Sequence, residues 1–476
     1  MTEQNLKNNE NLATNEQSKE SNTDKALFIS EWRVKDKRTL QFPIQGREGE
    51  IVIDWGDGSS DTMNSGDDRY MTHEYLDDGT YTIKVDGIIT QWSLRDRKLS
   101  ISNRYKLIKI LSYGETSFGP YAFENARNLV GLPEGESPRF SANSAKGFFK
   151  GASSFNQPIE HWDMSNVTDM SEMFTYAKRF NQSLDKWDVS NVTNMNRMFN
   201  HAKSFNQPLD KWDTSNVTDM SWMFSEAKSF NQPLDKWDTS NVTDMSWMFS
   251  EAKSFNQPLN DWDVSNVTNM NRMFNNAKSF NQPLDKWDVS NVTDMSWMFS
   301  EAKSFNQPLD KWDVSNVTNM RAMFSDADRF NQPLDKWDTS NVTDMSEMFS
   351  YADRFDQPLD KWDTSNVTDM GSMFSYADRF DQPLDKWDTS NVTDMCRMFF
   401  CADRFNQPLN DWDVSNVTNM NEMFSYADRF NQPLDKWDIS NICDMDYIFN
   451  ESGLDEDNYS ILLHSPYSER WAKVLN

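Results

Sequence analysis

One spacing dominates the order of apolar and polar positions. From Phe155 the same 25 residues return twelve times, with Phe at 155, 180, 205 and onward to 430, and Trp at 162, 187, 212 and onward to 437. The unit reads Phe-Asn-Gln-Pro-Leu-Asp-Lys-Trp-Asp-(Val/Thr)-Ser-Asn-Val-Thr-(Asp/Asn)-Met-x-x-Met-Phe-x-x-Ala-x-x, and the copies starting at Phe205 and Phe230 are identical. Such a short unit cannot bury its apolar face alone, so neighbouring copies must stack. In the copy at Phe205, Val217, Met220, Phe224 and Ala227 fall at helical spacing and Met223 widens the stripe, which predicts a short amphipathic helix. Asn216 stands where its N-cap belongs, with Asp219 in the first turn. Pro208 keeps the preceding stretch out of the helix, leaving Phe205, Leu209 and Trp212 as inward anchors of an extended or turning segment. Strands stack near 4.8 Å and helices near 8 to 10 Å, so one of each per unit predicts a curved array.

The pattern differs before the repeats. Glu50 to Trp55 and Thr80 to Val85 are short β-like runs with Gly and Asp turns between them, which predict a small antiparallel β domain. The first 25 residues hold too few apolar side chains to offset chain entropy and are expected to be a disordered tail. Phe149, Ala152 and Phe155, and about one unit earlier Phe123, Ala126 and Leu129, are weaker versions of the repeat suited to an end-capping role.

Copies vary most at two positions. One column runs Glu172, Arg197, Trp222, Trp247, Arg272, Trp297 and onward to Tyr447, the other Tyr176, His201, Glu226 and onward through Tyr351, Tyr376, Cys401 and Tyr426 to Glu451. Both lie opposite the apolar stripe and are expected to face solvent. Trp222, Trp247, Trp297, Tyr351, Tyr376 and Tyr426 are therefore the candidate partner-binding residues, with Trp222 beside Trp247 and Tyr351 beside Tyr376 in the stack.

Composition narrows the function classes. Seventy-five acidic against 47 basic side chains give a formal charge of −28, and no cluster of Lys and Arg stands out to meet a phosphate backbone, so nucleic acid is not an expected partner. Cys396, Cys401 and Cys443 are an odd number and no disulfide framework, although Cys401 is a candidate exposed thiol. No apolar run is long enough to span a bilayer, and the first 25 residues lack a signal-type apolar stretch. The Asp213 and Asp219 columns recur too regularly for one catalytic pair and read as turn and cap residues, so no catalytic site is expected. His73, His161, His201 and His464 are too scattered for a zinc set, and neither metal nor cofactor is expected. Asp54, Asp57 and Asp61 surround a turn whose glycines, Gly56 and Gly58, favour turn chemistry, with calcium ligation as the alternative. Eleven Asn-Val-Thr triplets fit the N-glycosylation pattern, but a repeated cap Asn explains them more simply. The Val/Thr column, from Thr214 and Thr239 to Thr389, suggests a rival reading as a flat face matched to an ordered surface such as ice.

The Trp-Asp-x-Ser-Asn-Val-Thr-Asp-Met-x-x-Met-Phe unit resembles the repeats of BspA-like leucine-rich-repeat surface proteins, a bacterial family that also includes mycoplasma lipoproteins. Ile51-Val-Ile-Asp-Trp-Gly-Asp-Gly58, His73-Glu-Tyr75 and Gly79-Thr-Tyr-Thr-Ile83 resemble the signature of a PKD-type β-sandwich. Lys106 to Gly114 resembles that family's entry into the repeats, and Asn458 to Trp471 its closing cap. The resemblance implies an α/β chain: a curved leucine-rich-repeat-like solenoid of about twelve 25-residue units, preceded by a small β-sandwich. The expected boundaries are a tail at 1–25, the PKD-like domain at 26–100, capping repeats at 101–154, the repeats at 155–454 and a C-terminal cap at 455–476. The function implied is non-enzymatic recognition or adhesion at a cell surface, with a host or matrix protein or a glycan as partner. An intracellular interaction scaffold is the alternative, since no lipoprotein cysteine or anchor is visible.

Overall fold

The computed structural model describes residues 27–64, 71–95 and 99–475, so the expected tail at 1–25 lies outside the described residues. Regular strands gather near the N-terminus: β1 (Phe28–Val34), β2 (Thr39–Phe42), β3 (Ile44–Asp54), β4 (Ser60–Met63), β5 (Met71–Glu74), β6 (Gly79–Trp92), β7 (Leu107–Ser112), β8 (Thr116–Phe118) and β9 (Arg139–Phe140). The main sheet has the order β4-β3-β6-β1-β7 with antiparallel neighbours, and β8 and β9 add to it in parallel through β6. A second sheet pairs β2 with β5 antiparallel. Alternation drives the pairing, because Phe28, Trp32 and Val34 of β1, Ile51 and Ile53 of β3, and Ile83 and Val85 of β6 are buried while their neighbours are not.

The β3–β4 turn is held by its own polar groups. Gly56 adopts a φ of 75° and approaches the Thr82 backbone so closely that a Cβ would collide with it. Asp57 accepts from the Ser59 amide at 3.0 Å, the Ser59 hydroxyl at 2.6 Å and His73 Nε2 at 2.8 Å. The His73 ring stacks on buried Trp55 at 4.7 Å, and the Tyr75 hydroxyl donates to the Trp55 carbonyl. Asp54 caps the Gly56 amide and Asp61 accepts from Trp55 Nε1, so each of the three carboxylates serves the turn.

By its internal packing the chain divides after Gln207 into two compact units. In the first, Leu94 donates its amide to the Ala122 carbonyl and Ser93 its hydroxyl to that of Pro120, closing the start of the repeats. In the second, Pro208 to Gly453 continues the repeats until α2 (Glu456–Leu463) and α3 (Ser468–Leu475); α1 is the single turn Ile101–Arg104 in the first unit. Trp471 of α3 is fully buried and packs on Phe449 at 5.9 Å.

The α/β leucine-rich-repeat-like solenoid expected from the sequence is not what forms. Between residues 155 and 454 there is no helix and no extended strand; the regular strands form mainly antiparallel sheets nearer the N-terminus, and each repeat within a compact unit gives single-residue parallel bridges such as Asp244↔Asn269. With no helix in the repeats, the spacing mismatch behind the expected curvature is absent, and Asn216 is not a helix N-cap.

The copy at Phe230 shows what replaces the helix. Amides of Met245, Trp247, Phe249 and Glu251 donate to Asn269, Asn271, Met273 and Asn275 in the next copy at 2.7 to 3.1 Å. Alternate amides turn back instead: Met248 to Met245, Ser250 to Trp247 and Ala252 to Phe249. This pattern needs a left-handed backbone at two positions per copy, and Trp247 and Glu251 have φ of 60° and 56°. The same two columns are left-handed in every copy from Glu172 and Tyr176 to Tyr447 and Glu451.

The apolar stripe nevertheless points inward. Val242, Met245, Met248, Phe249 and Ala252 are fully buried, as are Phe230 and Leu234, and Trp237 is nearly so. Their rings stack copy on copy, Phe249 on Phe274 at 5.7 Å and Trp237 on Trp262 at 6.4 Å. Trp262 Nε1 donates back to the Leu234 carbonyl at 2.9 Å. The Val/Thr column is buried too, with Thr239 donating to the Asp263 carbonyl, so it offers no flat outer face to an ordered surface.

Two outcomes follow from these geometries. Left-handed backbone costs an L-residue about 1–2 kcal/mol and glycine nothing comparable, so Ser372→Gly (φ 55°) should stabilise the protein by roughly 0.5–1 kcal/mol after glycine's own entropy cost, read as a raised midpoint in denaturant melts; a lowered midpoint contradicts it. The Ser59 hydroxyl, followed by His73, holds Asp57 down at about 2 against its ordinary 3.8. A depressed carboxylate contributes stability above its unfolded value and loses it as pH falls through the folded one. Stability should therefore drop between pH 3.8 and about 2, and Asp57→Asn should flatten that part of a pH-stability curve.

Candidate binding surface

The two left-handed columns are where side chains leave the stack. With the amides of Trp247 and Glu251 committed to the next copy and the stripe between them turned inward, the large side chains at these positions are half-buried or exposed, whereas the small Ala322 is covered. This explains why the variation concentrates there.

Trp222 and Trp247 stack face to face at 4.0 Å and 9°. The Arg272 guanidinium then lies over Trp247 at 4.3 Å and over Trp297 at 4.9 Å, so four successive side chains form one cation-π pile. Beyond Trp297 the column reaches buried Ala322. All three Trp are half-buried. Tyr351 and Tyr376 stack at 4.3 Å and 12°, and Phe400 meets Tyr376 and Tyr426 edge-on at 5.3 and 5.8 Å. Tyr351 and Tyr426 are 43% and 45% exposed, whereas Tyr376 is half-buried and its hydroxyl is pushed up to about 12 by desolvation and then by hydrogen bonding with Cys401. The six candidates are thus gathered into two clusters, joined by Arg272 and Phe400, which the sequence reading did not include. Period 25 placed Arg272 in the Trp column, and Phe400 is the one aromatic in a column otherwise of Asn, Ser or Thr from Thr175 to Ser425.

Charge is organised beside these columns. Lys178, Lys203, Lys228, Lys253, Lys278 and Lys303 occupy one column that becomes Asp328, Asp353, Asp378, Asp403 and Asp428. Lys228 sits 4.0 Å from both Glu226 and Glu251, and Lys303 reaches Asp328 at 2.9 Å. Beyond that switch, desolvation and then neighbouring carboxylates raise the pKa values of Asp353 and Asp378.

The remaining candidates have structural partners. Asp238 accepts from the Ser240 amide and hydroxyl, Asp244 from the Ser246 amide, and Asn266 donates to the Ser240 carbonyl of the preceding copy at 2.7 Å. The repeated Asp and Asn are therefore turn and ladder residues. Burial pushes the Cys401 thiol up, away from the reactive thiolate. Among the described residues no group of three or more His, Cys, Asp or Glu is placed to hold a metal ion, and no helix is long and apolar enough to cross a membrane.

Comparison with known proteins gives one family. Its model, described as Mycoplasma protein of unknown function, DUF285, matches four overlapping stretches, 143–262, 203–303, 282–374 and 353–460. No curated protein matches the chain. Since the matched stretches together span well over half of the sequence, and coincide with the stacked copies described above, the chain belongs to the DUF285 family of mycoplasma repeat proteins.

Proposed function

We propose that this is a non-catalytic recognition protein, displayed at a bacterial cell surface, whose outer columns engage a protein or glycan partner. The observation that carries the reading is where apolar surface is left outside. Within the repeats, the large apolar side chains that are exposed among the described residues are Tyr176, Tyr351, Tyr426 and Tyr447, all on the two left-handed columns. Tyr combines a broad apolar body with a polar tip and is favoured where partners bind. A regular array adds multivalency, because weak contacts at fixed spacing combine when the partner also repeats. The resemblance to BspA-like surface proteins and to a PKD-type domain supports the location, and an intracellular scaffold is the second reading. Protease treatment of whole cells separates the two: loss of the protein from intact cells supports display, and full protection supports the scaffold.

The purified chain is expected to bind host-cell surfaces, matrix proteins or a glycan array. A Tyr351→Ala/Tyr426→Ala variant should bind at least about tenfold more weakly, equivalent to about 1.4 kcal/mol, with an unchanged thermal midpoint. Equal binding by the variant, or no binding by the parent, overturns the reading.

A further inference from the structure

The first compact unit contains a gap in the outer column. Asn125, Gly151, Tyr176 and His201 are successive rungs: the Asn125 amide donates to Lys150, that of Gly151 to Thr175 at 2.7 Å and that of Tyr176 to Asn200 at 2.9 Å. His201 covers one face of the Tyr176 ring at 4.1 Å and 13°. On the other side stands Gly151, which has no side chain, so that face of Tyr176 is open and the ring is 43% exposed. Gly151 is buried with a φ of 73°, and a Cβ there would run into the Asn125 side chain. Ser153 is likewise small where the next copies carry Lys178 and Lys203. The result is a cavity of about 460 Å³ floored by Gly151 and Ser153 and walled by Tyr176, Arg127, Lys150 and Lys178.

Its charge is opposite to that of the whole chain. Lys150 pairs with Glu172, but among the described residues neither Arg127 nor Lys178 has an ion-pair partner. Farther along, Lys228 is flanked by Glu226 and Glu251; here the corresponding positions hold Tyr176 and His201, and the cations stay uncompensated. Arg127 lies over the Tyr105 ring at 4.9 Å, which fixes where its guanidinium is presented.

We propose that this cavity binds an anionic sugar unit of a glycan, its carboxylate met by Arg127 and Lys178 and the C–H face of its ring laid on the open face of Tyr176. The proposal rests on the recognition reading and deepens it by naming a ligand class and a place. A bare inorganic anion would leave the aromatic face unused, and a neutral sugar would leave two cations unpaired.

Titration calorimetry on the full chain tests it, with glucuronic-acid-terminated and glucose-terminated forms of the same oligosaccharide and with inorganic sulfate. The acidic form should bind at least about tenfold more tightly than the other two and weaken as salt is raised. Tyr176→Ala and Lys178→Glu should each weaken it at least about tenfold with unchanged thermal midpoints, while Lys336→Ala, at an exposed lysine outside the outer columns, leaves it unaltered. Equal binding of the acidic and neutral forms, equal binding of sulfate, or wild-type binding by either pocket variant overturns the assignment. Cell-surface binding lost in Tyr351→Ala/Tyr426→Ala but kept in Tyr176→Ala removes the pocket and leaves the recognition reading standing. Acidic-sugar binding without any cell-surface binding does the reverse.

Discussion

The structure depends on the amide-to-carbonyl bond between equivalent positions of successive copies. Through Met245, Trp247, Phe249 and Glu251 a single copy sends four amides forward, all with the same sense. Each leaves an otherwise unpaired buried group satisfied only if the next copy is present and in register. Aligned amides also polarise one another, so a run of copies gains more than isolated pairs would. Stability is therefore a property of neighbours, as in other repeat architectures.

That constraint produces the two left-handed residues per copy. Forward-pointing and backward-turning amides can alternate only if the backbone changes hand between them, and the chain accepts a cost of about 1–2 kcal/mol at each L-residue that does so. In return, the large side chains at those positions reach the surface, although Ala322 is covered. Trp, Arg, Glu, Tyr, Ser and Cys are all tolerated there because nothing inside depends on them. Structural strain and freedom of sequence coincide at the same residues.

Much of this was legible and some was not. The period, the inward set Val217, Met220, Met223, Phe224 and Ala227, and the β-like runs at Ile51 and Thr80 were all readable, because burial imprints itself directly on composition. The helix was a misreading with a physical cause: residues three and four apart share a face in a helix, and turns closing three residues back place the same set inward. Trp, Glu and Tyr carry no propensity signal for a left-handed backbone. Gly147 and Gly151 do, and they stand in the same two columns one copy earlier with φ of 56° and 73°. Adjacency of Trp222 with Trp247 followed from the period alone, whereas the guanidinium between Trp247 and Trp297 required coordinates, since spacing does not say which way a long side chain folds.

The forward sense of the amides also governs how this molecule can change in size. Removing or inserting one whole 25-residue copy restores every donor to an equivalent acceptor, while a change of any other length shifts donors past their acceptors along the rest of the run. Neighbouring copies as alike as those at Phe205 and Phe230 make the whole-unit change structurally silent. Reach is thus adjustable in fixed increments, and the chain can lengthen or shorten what it presents without learning to fold again.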